Sequence, residues 1–162
     1  MTMGTQTPLE PFIGDRAPRV LAVDDEPVHL QILSALLTRW GCTVLTAVDG
    51  ADALVAAHTE SPDVVLLDVM LPDQSGFDVC RTLQTDAATA HIPVVFLTAA
   101  SSADALSKAF ETGGHDFLAK PFKIGELAAR LGARLRQKYA EDLLRERRSR
   151  FSMSVPRHED AR

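Results

Sequence analysis

Several features that would narrow the identity of this chain are scarce or missing. It has two cysteines, Cys42 and Cys80, in 162 residues. They lack metal-ligand spacing, and two thiols make no disulfide framework. They read as small buried or half-buried residues in a reducing compartment, which makes the expected location cytoplasmic. No apolar run approaches the roughly 20 residues needed to span a bilayer. Met1–Pro18 has no basic region followed by an apolar stretch, so it does not read as a secretory signal. No internal repeat of about 20–50 residues is evident. What is present is ordinary for one soluble domain: 46% hydrophobic and 24% charged residues. The length suffices for a core that needs no disulfide or structural metal.

The net charge of −5 hides an asymmetry. Met1–Ala129 holds 7 of the 17 basic and 17 of the 22 acidic residues, and Arg130–Arg162 holds the other 10 and 5. A basic tail on an acidic body suits a partner, a solvated helix face or nucleic acid. No DNA-reading motif accompanies the charge, so nucleic acid is the weakest of these.

Residues 1–18, rich in Thr, Gly and Pro, read as a disordered or loosely docked leader. Strand and helix signals then alternate. Four short apolar runs each end on a residue suited to phosphate or metal. Arg19–Val23 leads into Asp24, Asp25 and Glu26, and Asp63–Leu67 into Asp68. Pro93–Leu97 leads into Thr98, and Asp116–Ala119 into Lys120 and Pro121. Thr43–Ala47 is a further strand. Between them lie helical patterns at Glu26–Trp40, Ala51–Glu60, Gly76–Gln84 and Ser101–Thr112, the last capped by Ser101 or Ser102. Five βα units within about 120 residues predict an α/β fold with a doubly wound parallel sheet. In such sheets ligands bind beyond the carboxyl ends of the strands, so the three Asp, the Thr and the Lys are expected to share one pocket.

The fifth helix starts at Ile124 and repeats apolar residues at Leu127, Leu131, Leu135, Tyr139 and Leu143. That outruns the roughly 20 Å needed to cross the sheet, so the helix is expected to project beyond Lys138. Its apolar stripe suits a dimer or a docked partner, or a linker to a further domain. Phe151–Arg162 reads as disordered.

Crowded carboxylates repel, and without a cation at least one is expected to have a raised pKa. A hard divalent ion such as Mg2+ relieves this through one or two carboxylates plus a phosphate oxygen. Thr98 offers a hydroxyl and Lys120 a compact positive charge to phosphoryl oxygens. A carboxylate can itself become an acyl phosphate.

Residues 19–136 resemble the receiver domain of two-component response regulators, of the CheY-like kind. The resemblance rests on Val23 to Pro27, on Leu67 to Gly76, and on Leu97, Thr98 and Ala99. It rests further on Gly113 to Phe117 and on Lys120, Pro121 and Phe122. It implies a flavodoxin-like sheet in the order 2-1-3-4-5, with residues 137–162 as an extended helix and disordered basic tail. It implies a phosphorylation-activated switch in which Asp68 takes a phosphoryl group from a sensor histidine kinase or phosphotransfer protein. Asp25, Asp68 and the Met70 carbonyl would hold Mg2+, with Asp24 acting largely through water. Thr98 and Lys120 would bind phosphoryl oxygens, and the Lys120–Pro121 bond would be cis. Thr98 and Phe117 would form the switch, signalling to a downstream protein or a second copy through the fourth-helix to fifth-helix face. Phe117 lacks a hydroxyl, so its ring is expected inward even at rest. Met70 and Ala100 flank the site without a charge, so hydrolysis of the phosphoryl group is expected to be unassisted. His29, His58, His91 and His115 lack metal-ligand spacing and receive no role.

Other readings stay open at this stage. One is a regulatory module for an output domain lying outside the chain. Another is a Mg2+-dependent phosphatase, although phosphatases of the haloacid-dehalogenase kind carry Asp-x-Asp after the first strand, where this chain has Asp24, Asp25 and Glu26.

Overall fold

The structure, a computed structural model, describes residues 16–99 and 103–154. Its elements alternate: β1 (Arg19–Val23), α1 (Pro27–Arg39), β2 (Thr43–Ala47), α2 (Gly50–Glu60), β3 (Val64–Leu67), α3 (Gly76–Thr85), β4 (Val94–Thr98), α4 (Ala103–Glu111), β5 (Asp116–Ala119) and α5 (Ile124–Ser154). All four strand pairings are parallel and the sheet order is β2-β1-β3-β4-β5, the expected doubly wound arrangement.

Period-two alternation divides each strand between two cores. Val20, Ala22, Val64, Leu66, Val95 and Leu97 face α1 and α5, where they meet Leu30, Leu33, Leu37, Leu127, Leu131 and Leu135. Leu21, Val23, Val65, Leu67, Val94 and Phe96 face α2, α3 and α4. The central strands β3 and β4 are buried at every position, which explains their unbroken apolar sequence. Each fully buried Leu contributes roughly 2 kcal/mol of transfer free energy.

Local chemistry sets the helix ends. Pro27 occupies the first turn of α1, and Gly41 follows its end with φ 88°. The Asp49 carboxylate accepts Asp52 N at 2.7 Å as the cap of α2. Asp73, distant in sequence, accepts Gly50 N and Ala51 N of the same helix at 2.8 and 2.9 Å. Those backbone bonds hold the Asp73 carboxyl below its ordinary pKa and tie the loop after β3 to α2.

Two boundaries are sharpened by the structure. Arg16–Pro18, read as part of a disordered or loosely docked leader, are docked: Arg16 pairs with Asp63 at 2.8 Å and the Pro18 carbonyl accepts Thr43 N. The buried Asp63 carboxylate also accepts Arg19 N and requires a counter-charge. At the other end α5 continues through Phe151 to Ser154 rather than stopping at Arg150. The expected start of the fourth helix at Ser101 falls outside the described residues, as do 1–15 and 155–162. The projection is as expected. Lys138 is buried and Tyr139 packs on the core, whereas Leu143 and Leu144 are 59% and 52% exposed.

His115 ties β5 to β4 twice: its N–H donates to the Val94 carbonyl at 2.8 Å, and its Nδ1 accepts Val94 N at 3.2 Å. Burial, then Arg134, hold its pKa below the ordinary value of 6.5, against a smaller opposite pull from Glu141. The neutral ring is therefore the folded form. Its stabilisation is complete above the unfolded value and is lost as pH falls through the folded one. His91 shifts the same way through burial, Lys138 and Arg145. His115→Gln should flatten, but not abolish, the decline in melting temperature between about pH 7 and pH 5. Calorimetry across that range checks this, and an unchanged slope counts against it.

Candidate functional site

Parallel register makes the strand ends flush. Val23 pairs with Ala47 and Leu67, Leu67 with Phe96, and Thr98 with Ala119. The first residues past β1, β3 and β5 are Asp24, Asp68 and Lys120, and Thr98 is the last of β4. Their backbones are locked beside one another: Asp24 N donates to Ala47 O, Asp68 N to Val23 O and Lys120 N to Thr98 O, at 3.1, 3.0 and 2.8 Å. Main-chain pairing thus delivers the residues before any side chain is considered.

The side chains converge. Ligand oxygens of Asp24, Asp25 and Asp68 lie within 4.8 Å of one another. Asp24 and Asp68 are buried and Asp25 is exposed, so the cluster opens to solvent on the Asp25 side. Lys120 Nζ donates to Asp24 Oδ2 at 2.6 Å and to Asp68 Oδ2 at 3.2 Å. Asp24 Oδ1 accepts Glu26 N, and Asp68 Oδ1 accepts Met70 N, each at 3.0 Å.

The pKa directions follow. Burial pushes the Asp24 carboxyl up, but the Lys120 and Glu26 hydrogen bonds outweigh it and hold it below the ordinary value. Burial likewise pushes Lys120 down, and its two carboxylate partners raise it above the ordinary value. For Asp24 this corrects the simple crowding expectation: the pocket carries its own cation, and the ammonium reverses the shift that repulsion would produce.

The loop from Asp68 to α3 is tightly constrained. Met70 and Ser75 form an antiparallel bridge, and Gly76 N donates to Val69 O at 2.8 Å. A Cβ on Gly76 would collide with the Asp68 carbonyl oxygen and meet Val69 Cα at 2.9 Å. The glycine is thus required by a close backbone approach next to Asp68. Ser75 Oγ caps α3 by accepting Phe77 N. The Met70 side chain is 68% exposed beside the site. The Lys120–Pro121 peptide is cis.

The three carboxylates and one ammonium leave two negative charges on hard oxygen donors. That donor set fits Mg2+, and one exposed carboxylate leaves room for waters and a phosphate oxygen. Thr98 is fully buried at the end of β4. Phe117, three residues before Lys120, is half-buried against Phe96 and the α2–α4 core, and so sits behind the pocket rather than in it. Ala100 lies outside the described residues.

The sequence reading missed His29. Its Nδ1 lies 3.2 Å from Asp24 Oδ2 and 3.4 Å from Lys120 Nζ, and its Nε2 lies 3.2 Å from Glu26 Oε2. Its five-residue separation from Asp24 across a strand–helix turn is no recognised ligand spacing. Only Pro27 at the start of α1, which sets where the first turn points, hinted at it. A mainly apolar groove of about 740 Å3 runs from this edge, lined by His29, Ile32, Leu36, Lys120, Phe122 and Ile124 among others.

Comparison with known proteins agrees with this geometry. Residues 20–132 match the response regulator receiver domain. Over 129 residues, 80% of the chain, it is 43% identical to the response regulator PleD of Caulobacter vibrioides, covering 28% of that protein. It is 42% identical over 119 residues to the DNA-binding response regulator MtrA of Mycolicibacterium smegmatis, covering 51% of it. The chain therefore spans about half or less of these curated relatives. Among solved structures, the chemotaxis protein CheY4 of Vibrio cholerae superimposes with a TM-score of 0.68 at 31% identity, over 71% of this chain and 96% of that one. The BeF3-activated DrrB receiver domain gives 0.66 at 35%, over 74% and 97%. The chain belongs to the receiver domains of two-component response regulators, a family of signalling switches.

Proposed function

We propose that Asp68 is the phosphoacceptor of this receiver. An Asp68 carboxylate oxygen attacks the phosphorus of a phosphohistidine on a sensor kinase or phosphotransfer protein. A P–O bond forms, the P–N bond breaks, and the imidazole of the donor leaves with the electron pair. The observation that carries this is the Lys120 ammonium, held between Asp24 and Asp68 beside an open carboxylate cluster. Lys120 would follow the charge onto a phosphoryl oxygen, and the Thr98 hydroxyl would bind another. Asp25, Asp68 and the Met70 carbonyl would hold Mg2+, with Asp24 acting through water. Bound there, Mg2+ supplies charge neutralisation for the phosphoryl oxygens.

Small phosphodonors such as acetyl phosphate would serve the same carboxylate, and water would slowly reverse the reaction; no other turnover is expected. Thr98 drawn inward would make room for Phe117, whose half-buried ring is already packed on the core. The output is altered binding by the face of α4, β5 and α5. Among the described residues no helix is long and apolar enough to cross a membrane. Two buried, unpaired thiols suit a reducing cytoplasm.

Exposed Leu143 and Leu144 on the projecting α5 support a second element of the reading, a homodimer through that helix. As receivers also precede output domains, the same helix can serve as the connection to one.

Three measurements test this. Acetyl phosphate or the host's histidine kinases should label the chain, and Asp68→Asn should abolish the label; label retained on that variant refutes the assignment. Asp25→Asn should weaken Mg2+ binding by at least about tenfold in calorimetric titration, because it removes one of two direct carboxylates. Light scattering should find a dimer favoured by beryllofluoride and lost in the Leu143→Glu/Leu144→Glu double variant. A monomer under all conditions removes the dimer.

A further inference from the structure

His29 stands at the pocket without a task in the proposed reaction. Asp24 Oδ2 has two nitrogen neighbours, Lys120 Nζ at 2.6 Å and His29 Nδ1 at 3.2 Å. The Asp24 side chain is only 6% exposed, so losing a partner on that oxygen is costly. Lys120 is nearer to Asp24 than to Asp68, yet a phosphoryl group on Asp68 needs the ammonium on its own side. Moving the lysine would strip a buried carboxylate oxygen of its strongest partner. The His29 ring already stands at that oxygen.

We propose that His29 is a positioning residue that takes over Asp24 Oδ2 as Lys120 turns from Asp24 to the phosphoryl group on Asp68. In the tautomer with hydrogen on Nδ1, the imidazole competes with Lys120 for one oxygen. It thereby weakens the resting Lys120–Asp24 pair and satisfies Asp24 afterwards. This rests on Asp68 being the acceptor.

The test uses the whole chain with acetyl phosphate at saturating Mg2+. His29→Ala should slow labelling of Asp68 about three- to tenfold, the worth of one hydrogen bond to a charged group. The apparent affinity for beryllofluoride should fall by a similar factor, a readout that a purely structural side chain would not move. His29→Asn keeps an N–H donor near the Nδ1 position and should restore both to within about twofold. The melting temperatures of both variants should match that of the unsubstituted chain, because His29 is 42% exposed on its side chain. Unchanged labelling and beryllofluoride affinity in His29→Ala overturn the proposal. So does a loss that His29→Asn fails to restore. Label appearing on Asp68→Asn in parallel would refute the acceptor assignment itself, which separates the two failures.

Discussion

Lys120, set between the carboxylates of Asp24 and Asp68, is the contact on which the rest of this site depends. Three carboxylates with oxygens within 4.8 Å would otherwise repel, with two of them buried. The ammonium offsets that repulsion and makes the cluster compatible with a folded sheet. In the proposed reaction it is also the contact redistributed when a phosphoryl group adds charge on the Asp68 side. A single ion pair therefore couples the stability of the resting pocket to its chemistry. The depressed Asp24 carboxyl and the elevated Lys120 ammonium are the two faces of that coupling.

The surrounding architecture holds this arrangement from both sides. Below it, parallel pairing locks Asp24, Asp68 and Lys120 through backbone bonds to Ala47, Val23 and Thr98. Beside it, the loop after Asp68 is pinned by Gly76 packed on the Asp68 carbonyl and by Asp73 on the start of α2. A rigid frame around a charge-sensitive pair suits a switch, because a small change in charge is not absorbed by local slack. The compliant parts lie elsewhere. β5 is only partly buried, Phe117 is half-exposed, and α5 leaves the body after Tyr139. The ion pair of Arg130 with Asp116 at 2.6 Å links β5 to α5.

Much of the fold was legible because its signals are local and redundant. The continuously apolar β3 and β4, Pro27 at the start of α1 and the apolar spacing of α5 each declare an element within a few residues. The convergence of Asp24, Asp68, Thr98 and Lys120 was legible because each stands at a strand end, where parallel topology leaves little choice of neighbour. The docking of Arg16 was not, since a counter-ion for buried Asp63 depends on a contact distant in sequence.

By itself the sequence determined the alternation of elements, the parallel sheet and the set of residues at its carboxyl edge, because hydrophobic period and turn chemistry are short-range. Tertiary structure alone decided how those residues share charge. That Lys120 favours Asp24 over Asp68 is a matter of distances between side chains 52 and 96 residues apart along the chain. That Asp24 is lowered and that His29 stands at the same oxygen are settled there too. Electrostatic energy depends on separation and burial in space, and neither is written in the spacing of a sequence.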